Sequence, residues 1–276
     1  MSDVERTVRR PRKRNSRTGR LLLVAGLCVL AVLGVLAVLL VPRLLSGGPE
    51  RAETLTVPEG MRAKQIYAAA DKALHVAEGT TAKAAGTSRL KLPAEAKGNP
   101  EGYLFPATYP IRSDTTPASL LSYMVDTAHD RLAADGIASY RTVVIASIVQ
   151  AEADRPDDMG KVARVIDNRL AKKMPLQMDS TINYALGRST LNTTHSDTKT
   201  DSPYNTYKQQ GLPPTPIDSP GADALKAAGS PPAGDWLYFV TVKPGDTRFT
   251  ADYEEHLRNV REFNAQQQSG SGEQEG

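Results

Sequence analysis

Val144, Ile148 and Glu152 stand four residues apart, a spacing that puts all three on one face of a helix. Ile145 and Val149 flank that face, so an apolar stripe runs into a carboxylate. A carboxylate at the end of such a stripe is partly desolvated, and desolvation raises its pKa towards that of a working general acid. A small rotation of the same helix would leave Glu152 solvated near its C-terminus, and the spacing admits both readings. Asp154, Asp157 and Asp158 fall where turn and cap residues belong, and Asp179 is expected as the N-cap of a short helix ending at Gly187. The second informative stretch is Ser202–Ile217, SPYNTYKQQGLPPTPI. Five prolines lie between Pro203 and Pro220, with Tyr204, Asn205 and Tyr207 among them. Proline fixes φ and removes a donor, so an ordered loop of rigid shape is expected. Tyrosine rings stack on sugar faces and amides bind hydroxyls, which suits carbohydrate; a loop packed over a core fits the composition equally well.

Other chemistries lack their residues. No HExxH, CxxC, GxSxG or GxxxxGK[ST] occurs, which removes the signatures of zincins, thiol redox proteins, α/β-hydrolases and P-loop ATPases. The four histidines (His75, His129, His195, His256) are scattered, and such a residue is more often solvated or capping than catalytic. The single cysteine, Cys28, allows neither a disulfide framework nor a thiolate zinc site. The net charge of +3 hides a split: residues 1–20 hold eight basic and two acidic side chains, a formal +6, so the remaining residues carry −3. Positive charge confined to one short arm disfavours a nucleic-acid-binding domain.

The elements that must position Glu152 are punctuated. Tyr140–Ala153 forms its helix, which stops before Pro156. Ahead of it, Thr116 is placed as an N-cap with Pro117 at the first helical position. Leu120, Leu121, Met124, Val125, Ala128 and Leu132 fall at helical spacing, and Gly136 closes the helix. A third helix begins at Asp157–Asp158 and carries Val162, Ile166 and Leu170 on one face. Glu53–Val57 has strand character, Pro58–Gly60 a turn and Met61–Leu74 helical character; Thr80–Pro100 shows no clear period and is expected as loop or weak helix. Arg188–Ser202 is polar loop. Ser219–Pro220 opens a helix closed by Gly229, Trp236–Val242 is a strand with Arg248–Thr250 as its partner, and Ala251–Gln267 is a last helix. The fold class is α+β, a helix-rich body with a few strands and a small β–α unit in front.

Leu21–Val41 holds only Leu, Val, Ala, Gly and Cys. Its 21 residues make about 32 Å of helix at roughly 1.5 Å per residue, the hydrocarbon thickness of a bilayer. The run is longer than a signal-peptide core, and Pro42-Arg43-Leu44-Leu45 is a poor cleavage site, so an uncleaved anchor is expected. The basic arm favours a cytoplasmic N-terminus, with the remaining chain on the outer face.

Four motifs together resemble the endolytic murein transglycosylase family (MltG-type, YceG-like): EGYLFPATYPI (Glu101–Ile111), ASIVQAEA with VARVIDNRL (Ala146–Ala153, Val162–Leu170), MPLQMDSTINYALG (Met174–Gly187) and SPYNTYKQQGLPPTPIDSPG (Ser202–Gly221). The resemblance covers Glu53 to Phe263. It implies a membrane-anchored bacterial lyase that cuts the MurNAc–GlcNAc bond within nascent peptidoglycan strands, leaves a 1,6-anhydroMurNAc end and ends strand elongation. It implies Glu152 as the catalytic acid, because Gln150 occupies the other position where many members carry a glutamate. Gln177, Asp179, Tyr184, Asn205 and Tyr207 are implied as glycan-holding residues from motif position, with no metal and no cofactor. Met178 and Ser180 depart from the more usual Thr and Pro around Asp179, and no loss of activity is expected from them. The implied organisation is a cytoplasmic arm (1–20), a transmembrane helix (21–41), a linker (42–52), a LysM-like unit (53–110), a catalytic domain (111–267) and a disordered tail (268–276). The implied partners are glycan strands, the lipid bilayer and cell-wall synthases or division proteins, with no nucleic acid. Two rivals use the same residues: a non-catalytic peptidoglycan-binding membrane scaffold, and a muramidase that pairs Glu152 with Asp179 and a water.

The orientation is open to direct measurement. A reporter fused after Gly276 is expected to be active only if it works outside the cytoplasm, and activity of a cytoplasm-only reporter would overturn the assignment.

Overall fold

The shortest path into the architecture is the helix that carries Glu152. In the computed structural model, which describes residues 53–188 and 193–272, this helix spans Tyr140–Glu152 and every residue from Val143 to Val149 is buried. The expected stripe is therefore part of an element apolar on all sides, and its neighbours must wrap it. The first part of that wrapping is the N-terminal stretch. Strand β1 (Glu53–Thr56) pairs antiparallel with β2 (Thr108–Ile111) in the register Glu53↔Ile111 to Thr56↔Thr108. Between them come α1 (Ala63–Ala73), α2 (Thr80–Thr87) and a 3-10 turn at Ala94–Ala96. The expected boundary at 110/111 falls inside β2, and one apolar cluster runs from Leu55 and Ile66 through to Leu225 and Ala228.

Helix α3 (Pro117–Ala134) forms as its punctuation dictates. The Thr116 hydroxyl accepts from Ser119 N (3.2 Å) while the Ser119 hydroxyl accepts from Thr116 N (2.9 Å), and all six apolar residues named for it are buried. The helix of Glu152 is α4. Ala153 turns extended behind it, and α5 (Pro156–Ala171) starts with proline at its first position, as a residue that ends one helix and suits the first turn of the next should. Next come α6 (Asp179–Ala185) and α7 (Ala222–Gly229), with α7 packed against both α4 and α5. The hairpin β3 (Tyr238–Lys243)/β4 (Asp246–Thr250) follows, with a bulge between Thr241 and Lys243, and α8 (Tyr253–Gly272) packs on β3.

The polar face of α5 ties this hairpin to the body. Arg164 donates to Pro232 O (2.6 Å) and Pro231 O (2.9 Å), Asn168 to Gly234 O (3.1 Å) and Trp236 O (2.9 Å), and Arg169 to Leu237 O (2.6 Å). These side chains satisfy the carbonyls of the approach to β3, whose Leu237 N in turn donates to Thr250 O (2.9 Å) on β4.

Several expectations change. Helix α7 begins at Ala222, not at Ser219, because the Ser219 backbone is tied to the front turn: Ser219 N donates to Met61 O (3.0 Å) and Gly60 N to Ser219 O (2.9 Å). The stretch 80–100 contains a real helix, α2. Asp71 accounts for it, since its carboxylate accepts Gly79 N and Thr81 N, both at 2.7 Å, across the turn that starts α2. Strand β2 contains Pro110, which local propensity discourages and a two-stranded sheet with free edges tolerates. Helix α8 continues to Gly272, through the first part of the expected disordered tail, and 273–276 lie outside the described residues. The basic arm, the apolar run 21–41 and the linker also lie outside them, and among the described residues no helix is long and apolar enough to cross a membrane.

Asp71 is nearly fully buried. Burial works to raise its pKa, but the hydrogen bonds centred on Thr81 and Gly79 outweigh it and hold the pKa below the ordinary 3.8. A depressed carboxylate contributes stability above its unfolded pKa and loses it as pH falls through the folded one. Asp71→Ala should cost about 2 kcal/mol or more at neutral pH, because two amides lose their acceptor. The difference from wild type should shrink as denaturation is repeated at pH below 3.8.

Candidate active site

A cavity of about 1020 Å³ opens at the C-terminal end of α4. Gln150 and Glu152 close it from α4, Leu176–Ser180 from the approach to α6 and its first turn, and Glu59, Gly60 and Arg62 from the front turn. Tyr207 and Asp218 come from the proline-rich loop, and Phe239, Val260 and Phe263 form an apolar wall from β3 and α8. The lining thus combines carboxylates and amides with rings and aliphatic groups, a mixture suited to a ligand with polar edges and apolar faces.

Glu152 is the last residue of α4. Its Oε1 accepts from the Ser180 hydroxyl at 2.7 Å and from Ser180 N at 3.4 Å. Burial raises its pKa, the two Ser180 bonds act to lower it, and the neighbouring Asp179 charge raises it again; the net shift is upward. The carboxyl therefore holds its proton to higher pH than a free glutamate does.

Asp179 lies beside it, in the first turn of α6, and is not the N-cap; Met178 is. Its Oδ1 instead accepts the Tyr207 hydroxyl at 2.5 Å, a tertiary partner that displaces the local capping bond. Burial, the bond to Asp179 and the charges of Asp179 and Glu152 push the Tyr207 pKa up, so the phenol stays a neutral donor. Gln177 lines the cavity with a left-handed backbone (φ 50°). Gln177 N donates to Thr206 O (3.0 Å), Met178 N to Thr206 Oγ1 (3.0 Å), and Arg169, itself buried, donates to Leu176 O (2.7 Å) and Gln177 Oε1 (3.4 Å). The approach to α6 is thus fixed from both sides.

Two of the expected glycan-holding residues lie elsewhere. Asn205 is fully buried and does not line the cavity. Its amide donates to Thr198 O (3.0 Å) and Thr200 O (2.7 Å) and accepts Tyr207 N (3.0 Å). It shapes the loop that presents Tyr207. Tyr184 is also absent from the lining; its hydroxyl donates to Glu101 Oε2 (3.0 Å), and the Arg62 guanidinium stands 5.2 Å from its ring centre. Glu101, buried, accepts Ala63 N at 2.8 Å and so anchors the start of α1 beside the cavity mouth. Of the histidines only His256 reaches the lining, stacked on Tyr238 at 5.1 Å, with a pKa lowered by burial and by Arg169.

Ser180, Thr206, Arg169 and Asp218 are members of this site that sequence reasoning passed over. Ser180 had a signal, since it stands at a departure from the family's usual pattern. Thr206 and Arg169 are single polar residues tied to segments elsewhere in the chain, Met178 and Leu237 among them, and Asp218 stands in a loop with nothing local to mark it.

The YceG-like family model matches residues 35–262. The endolytic murein transglycosylase of Bacillus subtilis (strain 168) is 35% identical over 247 residues, 81% of this chain and 69% of that protein. The endolytic murein transglycosylase of Streptococcus pneumoniae serotype 2 is 38% identical over 175 residues, 59% of this chain and 32% of that protein, so the match spans about a third of the pneumococcal relative. The crystal structure of a yceG-like protein from Listeria monocytogenes agrees with a TM-score of 0.64 at 31% identity, over 75% of each chain. With a match across most of its length and a solved relative of the same fold, this chain belongs to the YceG-like family.

Proposed function

We propose that the chain is a lytic transglycosylase, a lyase that cuts peptidoglycan strands internally, and that Glu152 is its general acid. The observation that carries the reading is the placement of Glu152 at the end of α4, held by Ser180 at 2.7 Å, in a cavity lined by both polar and apolar side chains. The relatives named as endolytic murein transglycosylases support the same reaction.

Glu152 donates its proton to the glycosidic oxygen between MurNAc and GlcNAc, and the C1–O bond breaks with the leaving sugar taking that proton. The C6 hydroxyl of the same MurNAc attacks C1, closes a 1,6-anhydro ring and gives its proton to the Glu152 carboxylate. The enzyme ends as it began, and no water enters. The nucleophile is already part of the substrate, so the reaction needs no second carboxylate to activate a water. Gln177, Asp179 and Tyr207 hold the strand from the cavity wall, while Tyr184 and Asn205 hold the elements that carry them. The stretch 53–110 acts as a LysM-like front unit and 111–267 as the catalytic part. The apolar run 21–41 anchors the enzyme in the cell membrane, where cutting nascent strands ends their elongation and brings it near cell-wall synthases or division proteins.

A second reading rests on Asp179, a second carboxylate lining the same cavity. As a base for water it would make the enzyme a muramidase, with a reducing MurNAc end.

Glu152→Gln keeps the shape and removes the transferable proton. Strand cleavage should fall by about 10²–10⁴-fold with folding retained, measured by mass spectrometry of products from purified strands. In water labelled with heavy oxygen the wild-type product should carry an unlabelled 1,6-anhydro end. A labelled primary product, or loss from Asp179→Asn equal to that from Glu152→Gln, would favour the muramidase.

Ser180 gives a separate handle. Its hydroxyl stabilises the ionised form of Glu152, so Ser180→Ala should raise the Glu152 pKa further. The alkaline fall of kcat/KM, which reports loss of the acid's proton in the free enzyme, should move to higher pH. A shift to lower pH would mean that solvent entering the vacated space outweighs the lost hydrogen bond.

A further inference from the structure

Asp218 is a carboxylate-bearing residue that the reaction above does not use. It lines the same cavity, yet it is only 5% exposed. Its Oδ1 has no hydrogen-bond partner among the described residues. The backbone on both sides is pinned: Ile217 N donates to the Ser147 hydroxyl (3.0 Å) on α4, and Ser219 N donates to Met61 O (3.0 Å) on the front turn. The carboxyl is therefore held in place. The unpartnered Oδ1 is enclosed, and Oδ2 is the oxygen on the side of Gly60: a Cβ there would stand 3.9 Å from Oδ2 and 3.8 Å from Gln150 Cγ, so a hydrogen at this position, with its left-handed φ of 74°, leaves Oδ2 bordered by the smallest possible residue on the cavity wall.

A buried carboxyl with an unanswered oxygen is costly unless a ligand completes it. The groups that face Asp218 decide its charge. Glu101 from the approach to β2 and Arg62 from the front turn act on it directly, and Glu59, Glu152, Asp154, Asp179, Arg169 and His256 line the same cavity. The carboxyl groups outnumber the two arginines. Burial first, and then the Glu101 charge, push the Asp218 pKa well above the ordinary value, and Arg62 only partly opposes them.

Building on the proposed glycan substrate, we propose that Asp218 is a second strand-binding group, a neutral carboxylic acid that donates a hydrogen bond to an acceptor oxygen of the bound sugar, an N-acetyl carbonyl or a hydroxyl. The residue binds and orients; it takes no part in proton transfer to the scissile bond. Neutral, it is a donor; ionised, it is an acceptor only and repels any lone pair placed before it. Strand affinity should accordingly be retained below its raised pKa and lost as pH rises through it.

The test uses Glu152→Gln protein, so that strands are bound and not cut, and purified uncross-linked glycan strands as the probe, with Kd measured by calorimetry from acid to alkaline pH. Affinity should weaken as pH rises. Adding Asp218→Asn, which keeps a donor and cannot ionise, should remove that dependence and stay within about threefold of the parent on the acid side. Adding Asp218→Ala should weaken binding about tenfold there. A pH dependence that survives Asp218→Asn, or an Asp218→Ala protein that binds like its parent, would overturn the proposal. Should Asp218→Ala not fold, the Asp218→Asn comparison decides alone. Products are followed in the same samples. Continued cutting by Glu152→Gln would count against the reaction proposed above, and Asp218 would then be read from the same pH comparison of KM. Affinity indifferent to Asp218 in a non-cutting protein would count against Asp218 alone.

Discussion

Helix α4 has no solvent face over residues 143–149, and this constraint organises the molecule. A helix buried on every side must be surrounded, and only its end can meet water. Here α5 and α7 pack directly on α4, while α3 and the front strands join the same apolar cluster. Only one side chain in the buried stretch is polar. Ser147 donates to Val144 O at 2.8 Å and accepts Ile217 N at 3.0 Å, so its hydroxyl is satisfied and the proline-rich loop is fastened to the core by the same atom. Truncating a core side chain such as Ile148 or Val144 would cost roughly 1–5 kcal/mol, a large share of a domain's stability, and would loosen the platform on which Glu152 stands.

From that platform the site is assembled by bonds between segments far apart in sequence. Ser180 reaches back 28 residues to Glu152, Tyr207 reaches 28 residues to Asp179, and Thr206 receives the amide of Met178. Arg169 stands behind all three. Its guanidinium holds carbonyls on the approaches to α6 and to β3, so the apolar wall and the carboxylate wall of the cavity share one brace. Arg169 is charged and buried, and its hydrogen-bond partners are carbonyls and one amide oxygen, which fit a planar fork of five donors better than a single ammonium would.

What the sequence made legible follows from where the determining interactions lie. Helix α3 is written locally, in Thr116-Pro117, six apolar residues at helical spacing and Gly136, and the structure agrees with it. Glu152 could be picked because the period of α4 carries its position to the cavity edge. Asp179 obeyed a local capping rule in sequence and a distant tyrosine in the structure. Asn205 lies in the expected loop with its amide engaged inside that loop, by bonds that only the folded loop brings together. Strand β2 was missed because Pro110 argues against a strand and its partner lies more than 50 residues away. Ser180 and Asp218 sit in stretches dense with polar residues, where no period marks one hydroxyl or carboxyl as the buried one.

The opposition at Glu152 has a consequence for a reaction in which the same carboxyl gives a proton and then takes one. Burial and the Asp179 charge favour the protonated state, which is the state the proposed reaction needs at the glycosidic oxygen. The Ser180 hydroxyl favours the ionised state, which is the state left after that proton has gone. If burial acted alone, the acid would be abundant but reluctant to give up its proton. If the hydrogen bond acted alone, the carboxylate would be comfortable and the acid scarce. A group that must work in both directions is best served when neither state is strongly preferred, the condition under which general acid and general base catalysis by one residue are both efficient. Ser180 engages Oε1 through both its hydroxyl and its amide, and Asp179 is engaged by Tyr207, so the two carboxylates that lie side by side in the cavity are each held by a neutral donor from a different segment.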